Sequence, residues 1–286
     1  MKIKNIIYLV LSLSIVFLFN SCDEVSAPYE KNSSSEPSID SSSNLTKILL
    51  EEYTGFKCNN CPKGARIAHS LMDAYSDRII LVSIHSGYFA KPDKSGNFTY
   101  DFRTDVGEEL CSINNVSSFP CGTISRTPFN NEKIINGANW ASAVQTFFET
   151  YKTAPVEIKI TPNLSESQID VTINLTYSQA ASSQNYLSVW ITEDGIKYWQ
   201  IDKEATPPEV ENYIHNCVLR YSFNGTWGDL LSPVDIAMGT KIEKKYSYSL
   251  PKSSDWNLNN LKIVAFVYDN QSDGRVLQAK EVKLKS

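Results

Sequence analysis

The run Cys58-Asn59-Asn60-Cys61, with Pro62 directly after it, restricts the fold more than any other feature because of what stands on either side. Ahead of it, KILLEE at residues 47–52 is a short apolar strand candidate that leads out through Tyr53, Thr54, Gly55 and Phe56. Behind it, Ala65, Ala68, Leu71, Met72 and Tyr75 recur at three- and four-residue steps, which predicts an amphipathic helix. One helical turn brings cysteines at this spacing within bonding distance, and the free N–H groups of a helix N-terminus stabilise a thiolate on the first of them. On a redox reading Cys58 is the attacking sulfur, the more exposed and more reactive of the two, and Lys57 lowers its pKa further. Cys61 is then the resolving thiol, which attacks a mixed disulfide. Pro62 suits an early helical position because it has no N–H to leave unpaired there.

A strand feeding a CxxC at a helix N-terminus resembles the thioredoxin-like proteins. IILVSIH at 79–85 is a nearly continuous apolar run, expected of a strand buried on both faces of a central sheet. Residues 87–101 are a Gly-, Pro-, Lys- and Asn-rich excursion, and a helical stretch is expected from about Phe102 to Ile113. Thioredoxin-like folds carry a cis-proline before the next strand, packed against the CxxC, and the resemblance assigns that place to Pro120, ahead of TISR. WASAVQTFFETY, from Trp140 to Tyr151, reads as the closing helix, and Ala154 and Pro155 mark a boundary. The chain departs from common redox proteins in carrying Lys57 before the first cysteine and two asparagines between the pair. A working couple and a merely structural disulfide therefore both stand as readings. His85, at the end of its strand, either tunes the thiol or is a hydrogen-bonded structural histidine, while His69 reads as an ordinary helix residue. Zinc would need two further ligands in a recognisable second pair, so no metal site and no cofactor are expected. Cys111 and Cys121 read as buried thiols, with a bridge between them left open by an oxidising compartment.

Beyond Pro155 the pattern changes to period two. VEIKI, IDVTINLTY (169–177), YLSVWITEDG (186–195) and KIEKKYSYSL (241–250) all read as half-buried antiparallel strands. The closing segment from Leu261 to Leu284 reads as a hairpin around an Asn, Asp and Gly turn. About seven strands in this half suit an immunoglobulin-like sandwich. Within 211–231, His215, Cys217 and Leu219 are expected to share one face of a strand, with Cys217 a buried thiol. Glu193, Asp194, Asp202 and Glu204 make no spaced cation loop and read as solvated strand ends, and Trp190, Trp199, Trp227 and Trp256 as core packing.

At the other end, Lys2 and Lys4 precede an apolar stretch from Ile6 to Phe19, too short for a permanent span and read as a signal peptide over 1–21. Ser21 directly before Cys22 resembles the bacterial lipobox, in which the cysteine becomes lipidated and anchors the protein to a membrane. Asp23 and Glu24 resemble a short surface-export signal, and the Ser-rich segment to residue 44 is too polar to pack, hence a flexible tether. The expected organisation is thus a tethered chain with a first domain over 45–154 and a second over 155–286. With 42% apolar and 21% charged residues the chain can bury a core, which rules out wholesale disorder. A net charge of −5 argues against a nucleic-acid partner, because neutralising phosphates needs clustered excess Lys and Arg.

Taken in order, Cys22, CNNCP at 58–62, VSIHSGYFA at 82–90, SFPCGTISR at 118–126, and HNCVLR at 215–220 with Trp227-Gly228 resemble the twenty-eight-kilodalton outer-membrane lipoprotein family of Bacteroidetes. The resemblance implies a lipid-anchored outer-membrane protein, exposed at the cell surface, in which an α/β thioredoxin-like N-terminal domain joins an all-β sandwich. It leaves two functions open. One is a thiol-disulfide oxidoreductase acting on a protein disulfide through Cys58, Cys61 and Pro120. The other is a non-enzymatic adhesin or receptor for a host surface ligand, its CxxC a structural disulfide.

Overall fold

Apolar runs without alternation become strands covered on both sides. β1 (Ile48–Thr54), α1 (Cys61–Tyr75) and β2 (Ile79–His85) form a βαβ unit in the computed structural model, which describes residues 44–182, 184–270 and 274–285. The expected signal peptide, Cys22 and nearly all of the tether lie outside the described residues. β1 and β2 are buried at every position and pair in parallel, from Ile48 with Ile79 to Thr54 with His85. Ile48, Leu50 and Leu81 pack under Ala68 and Leu71 of α1, while Leu49, Tyr53 and Val82 belong to the core on the opposite face.

The short α2 (Gly87–Ala90) follows, and then α3 (Asp105–Ile113). α3 begins later than the pattern from Phe102 suggests, because Thr104 caps it, its Oγ1 accepting from Gly107 N at 3.0 Å. Phe102 instead joins an aromatic cluster with Phe56 and Phe98. β3 (Cys121–Ile124) runs antiparallel to β1, β4 (Ile135–Asn136) pairs with β3, and α4 (Gly137–Thr150) starts where the Asn136 side chain accepts from Ala138 N.

Past Ala154 and Pro155, where a domain boundary is expected, the helices stop. β5 (Val156–Ser165), β6 (Gln168–Tyr177), β7 (Asn185–Glu193), β8 (Ile196–Ile201), β9 (Glu209–His215), β10 (Val218–Ser222), β11 (Asp229–Leu230), β12 (Lys241–Ser249), β13 (Leu261–Asp269) and β14 (Val276–Lys283) follow. Among the described residues the main sheet runs in the order β14-β13-β7-β10-β2-β1-β3-β4, with β11 beside β7. A second sheet, β12-β6-β5, faces part of it, and β8 and β9 form a separate two-stranded hairpin. The main sheet therefore crosses the boundary, through Val218 opposite Ser83 and a Ser83 N–H donated to Cys217 O at 2.8 Å. Residues 43–286 form one compact, β-rich unit. No helix among the described residues is long and apolar enough to cross a membrane.

Two expectations need correction. β7 is not half-buried. Leu187, Val189 and Ile191 face the β5-β6 sheet, Trp190 faces the core shared with Leu49 and Val82, and Ser188 and Thr192 are small enough to be buried in the pleat, so their polarity does not report exposure. His215, Cys217 and Leu219 do not share a strand face. The chain breaks at Cys217, whose φ is 55° and whose N–H is donated to Asp194 Oδ1 at 2.8 Å, so His215 ends one strand and Leu219 lies in the next.

One buried ion pair holds β1, the turn after β3 and β13 together. Arg126 Nε and Nη2 donate to the two oxygens of Glu51 at 2.9 and 2.7 Å, Thr123 Oγ1 adds a third bond, and the guanidinium lies 5.1 Å from the rings of Phe266 and Tyr268. Glu51 is 1% and Arg126 7% exposed, so neither charge has water as an alternative partner.

Candidate functional site

The local sequence fixes where the two cysteines go. Gly55 sits where an added Cβ would lie 2.5 Å from Phe89 C, which lets the loop after β1 close onto α2, and Lys57 N donates to Phe89 O at 3.0 Å. Cys58 stands one turn ahead of α1, tied by Cys61 N to Cys58 O at 3.3 Å, and Cys61 opens the helix with Pro62 in its first turn. The two are joined in a disulfide with Cα atoms 5.4 Å apart. The Phe119–Pro120 peptide is cis, and Pro120 lies against the first turn of α1, since a Cβ on Gly64 would fall 2.7 Å from its ring. Pro120 thus lies against the same helical turn that Cys61 opens.

The sulfurs are not exposed as expected of an attacking thiol. Cys58 is 2% and Cys61 1% accessible, so the exposure difference between them is absent. The physical reason is the β8-β9 hairpin, unseen in the sequence as a cover. Ile201 N donates to Phe56 O at 2.9 Å, Gln200 Nε2 to Cys58 O at 3.0 Å, and Lys203 N to Asn59 O at 3.1 Å.

Behind the disulfide lies a cavity of about 30 Å³, room for roughly two waters, reached by Cys61, Glu52, Ser83, His85, Tyr213 and His215. Glu52 is the group that sequence reasoning missed. It is 1% exposed, its Oε2 accepts from Ser83 Oγ at 3.3 Å, and its Oε1 has no partner within the protein. Burial raises its pKa to about 8, with the serine bond opposing only weakly, so near neutral pH it is a carboxylic acid rather than a carboxylate. The available signal was two consecutive acids inside an apolar strand: on a strand covered on both faces neither can reach solvent.

His85 does lie at this cavity, 4% exposed, its ring centroid 4.7 Å from Phe102 and 5.3 Å from His215. Burial, His215 and Arg220 all push its pKa well below the ordinary histidine value, and burial brings His215 down to about 4. Both are therefore neutral at pH 7 and contribute hydrogen-bonding nitrogens, not positive charge. His69, half-buried on α1, reaches the cavity rim. Lys57 Nζ is 2.7 Å from Asp93 Oδ1 and stands over the rings of Phe56 and Tyr88. Its ammonium is thus engaged by a carboxylate and two ring faces.

Elsewhere, Cys111, Cys121 and Cys217 are buried free thiols, and burial pushes the Cys121 pKa to about 12. The four acids read as solvated are ion-paired instead: Glu193 with Arg220 at 3.3 Å, Asp194 with Lys262 at 2.8 Å, and Asp202 and Glu204 with Arg66 at 3.0 and 2.5 Å. Trp190 is fully buried, edge-on to Phe266 at 4.7 Å, whereas Trp256 stacks on Tyr248 at 5.9 Å beneath Arg220.

A family model described as outer membrane protein Omp28 matches residues 108–286. The matched stretch includes Pro120 and begins after the CxxC. No curated protein matches the sequence. Among solved structures the chain is similar to HBP35 of Porphyromonas gingivalis, 17% identical over 85% of this chain and 77% of that one, with a TM-score of 0.64. It is also similar to a protein of Agrobacterium tumefaciens, 11% identical over 85% and 96%, with a TM-score of 0.53. A domain of the outer membrane lipoprotein Omp28 from Porphyromonas gingivalis aligns at 21% identity over 46% of this chain and 88% of that one, with a TM-score of 0.31. The first two likenesses, spanning most of both chains, are likenesses of fold.

Proposed function

The chain belongs to the Omp28 outer membrane protein family, hence to the outer membrane, and from that premise we propose that it works there as a thiol-disulfide oxidoreductase, lipid-anchored through Cys22. The strand-CxxC-helix unit, the parallel β1-β2 pair and Pro120 against the first turn of α1 support a thioredoxin-like reading of residues 45–154. The facing β12-β6-β5 and β7-β13 strands support a sandwich reading of residues 155–286.

The observation that carries the redox reading is Glu52. A disulfide that only staples a fold has no use for an unpartnered acid at its back, whereas a couple that cycles must move a proton at Cys61. In the reduced form the Cys58 thiolate attacks a substrate disulfide, a mixed disulfide forms, and one substrate thiolate leaves. The minor fraction of Glu52 that is carboxylate below pH 8 takes the proton of Cys61 through the shared cavity, and Cys61 Sγ attacks Cys58 Sγ, closing the protein disulfide and expelling the second substrate thiolate. Two electrons pass to the substrate, and the protons follow to its thiolates; a dithiol donor reverses the sequence to recharge the couple. A pKa of about 8 lies close to that of an ordinary thiol, where exchange in either direction is easiest.

The near-complete burial of both sulfurs favours the second reading, a binding protein whose CxxC is structural. The two separate in a protein-disulfide reduction assay. Cys58→Ser is expected to abolish turnover, at least a hundredfold below the parent, and to leave Cys61 unable to form a mixed disulfide. Equal turnover by the variant, or none by the parent once its couple is reduced, would remove the enzymatic reading.

A further inference from the structure

The β8-β9 hairpin is built like a cover rather than like part of the core. It pairs with neither larger sheet, and a two-stranded hairpin is marginal without outside support. Its base has that support: Tyr198 packs against Phe56 and Phe102, with ring centroids 6.3 and 5.5 Å away. Its tip does not. Beyond Asp202 the residues to Pro208 are mostly exposed, and what holds them down is polar: the backbone bonds to Phe56 O and Asn59 O, the Gln200 amide on Cys58 O, and Arg66 of α1 between Asp202 and Glu204. Meanwhile Gln200, Tyr213 and His215, from both strands, wall the cavity at Cys61.

Thiol-disulfide exchange needs a third sulfur to approach along the S–S axis, and sulfurs 2% and 1% exposed offer no such path. We infer that the β8-β9 hairpin is a strap that lifts from its tip to admit a partner thiol, and that Arg66 is its latch, a positioning residue that sets access to the couple without touching it. The latch is suited to the task because Arg66 and Glu204 are each about half exposed, and only Asp202, 11% exposed, is largely covered; salt therefore screens the guanidinium's hold, and the tip lifts while the aromatic base stays in place.

The inference rests on the redox reading for its purpose, but its test does not need turnover. The oxidised full-length protein is mixed with excess dithiothreitol, whose two thiols close to a cyclic disulfide as Cys58 and Cys61 take up two electrons and two protons, and freed thiols are trapped by maleimide and counted by mass. Arg66→Ala is expected to be reduced three- to tenfold faster than the parent at low ionic strength. Raising the salt should speed the parent towards the variant and leave the variant unchanged. Equal rates at low salt, or a slower variant, would overturn the strap. A protein that never turns over a protein disulfide, yet shows the faster Arg66→Ala reduction, would fail the redox reading and keep the strap.

Discussion

Glu52→Gln is expected to make the protein more stable and the couple slower. In the unfolded chain Glu52 ionises near pH 4.5, while in the fold it holds its proton to about pH 8. Between these values the native state binds the extra proton at Glu52, so the contribution of this group is fullest below pH 4.5, falls as pH rises, and levels off above pH 8. Across the window the loss is about 5 kcal/mol, and at pH 7 about 3 kcal/mol of it has been incurred. Glutamine has nearly the same shape, carries no charge to desolvate and keeps an acceptor for Ser83. Urea melts should therefore show Glu52→Gln more stable than the parent at pH 7 by about 3 kcal/mol, the difference vanishing near pH 4 and widest above pH 8. Because the buried His85 and His215 add stability as pH rises through the same range, the test is the difference between the two proteins: a gap that does not widen between pH 5 and 8 would show that Glu52 is ionised in the fold. The same variant should lower turnover of a protein disulfide by roughly 10²-fold, the usual contribution of a positioned acid-base group.

Arg126→Met is expected to destabilise the fold strongly, for the opposite reason. Glu51 accepts two bonds from Arg126, and removing the guanidinium leaves its side chain, 1% exposed, with only Thr123 as partner. Breaking such a pair costs about 3–5 kcal/mol. The double variant Glu51→Leu with Arg126→Met should recover most of that loss, since apolar side chains fit between Leu49, Phe266 and Tyr268. A double variant as unstable as the single one would mean that the pair supplies net stability and does more than satisfy its own desolvation.

What could be read in the sequence was what period and spacing carry. The β1-α1-β2 unit follows from an apolar run, a CxxC and three- and four-residue repeats, and β5, β6, β12 and the β13-β14 hairpin follow from alternation. Cys58 and Cys61 are bridged, and Pro120 lies against Gly64 in the first turn of the helix that Cys61 opens. What could not be read depends on contacts between distant segments. Nothing in IKYWQI or EVENYIH says that they lie over residues 55–59, more than a hundred positions earlier, so the burial of Cys58 had no local signal. Ser188 and Thr192 look solvent-facing because alternation cannot distinguish a small buried hydroxyl from an exposed one. His85 lies at the cavity, but its neutrality comes from burial, and Lys57 pairs with Asp93, neither of which local sequence reveals. The two acids of β1 were in plain view. Acids in so short a run carry no sign that both faces of β1, like those of β2, are covered.

The most direct test of a cycling Cys58–Cys61 couple is its midpoint potential, measured by equilibrating the protein against defined glutathione or dithiothreitol redox buffers and counting trapped thiols. The redox reading predicts a value well above about −300 mV, in the range where cellular thiols exchange with it, and a midpoint that shifts with pH differently in Glu52→Gln. A potential below about −300 mV, with no effect of Glu52→Gln on its pH dependence, would make the bridge a structural staple and contradict the account.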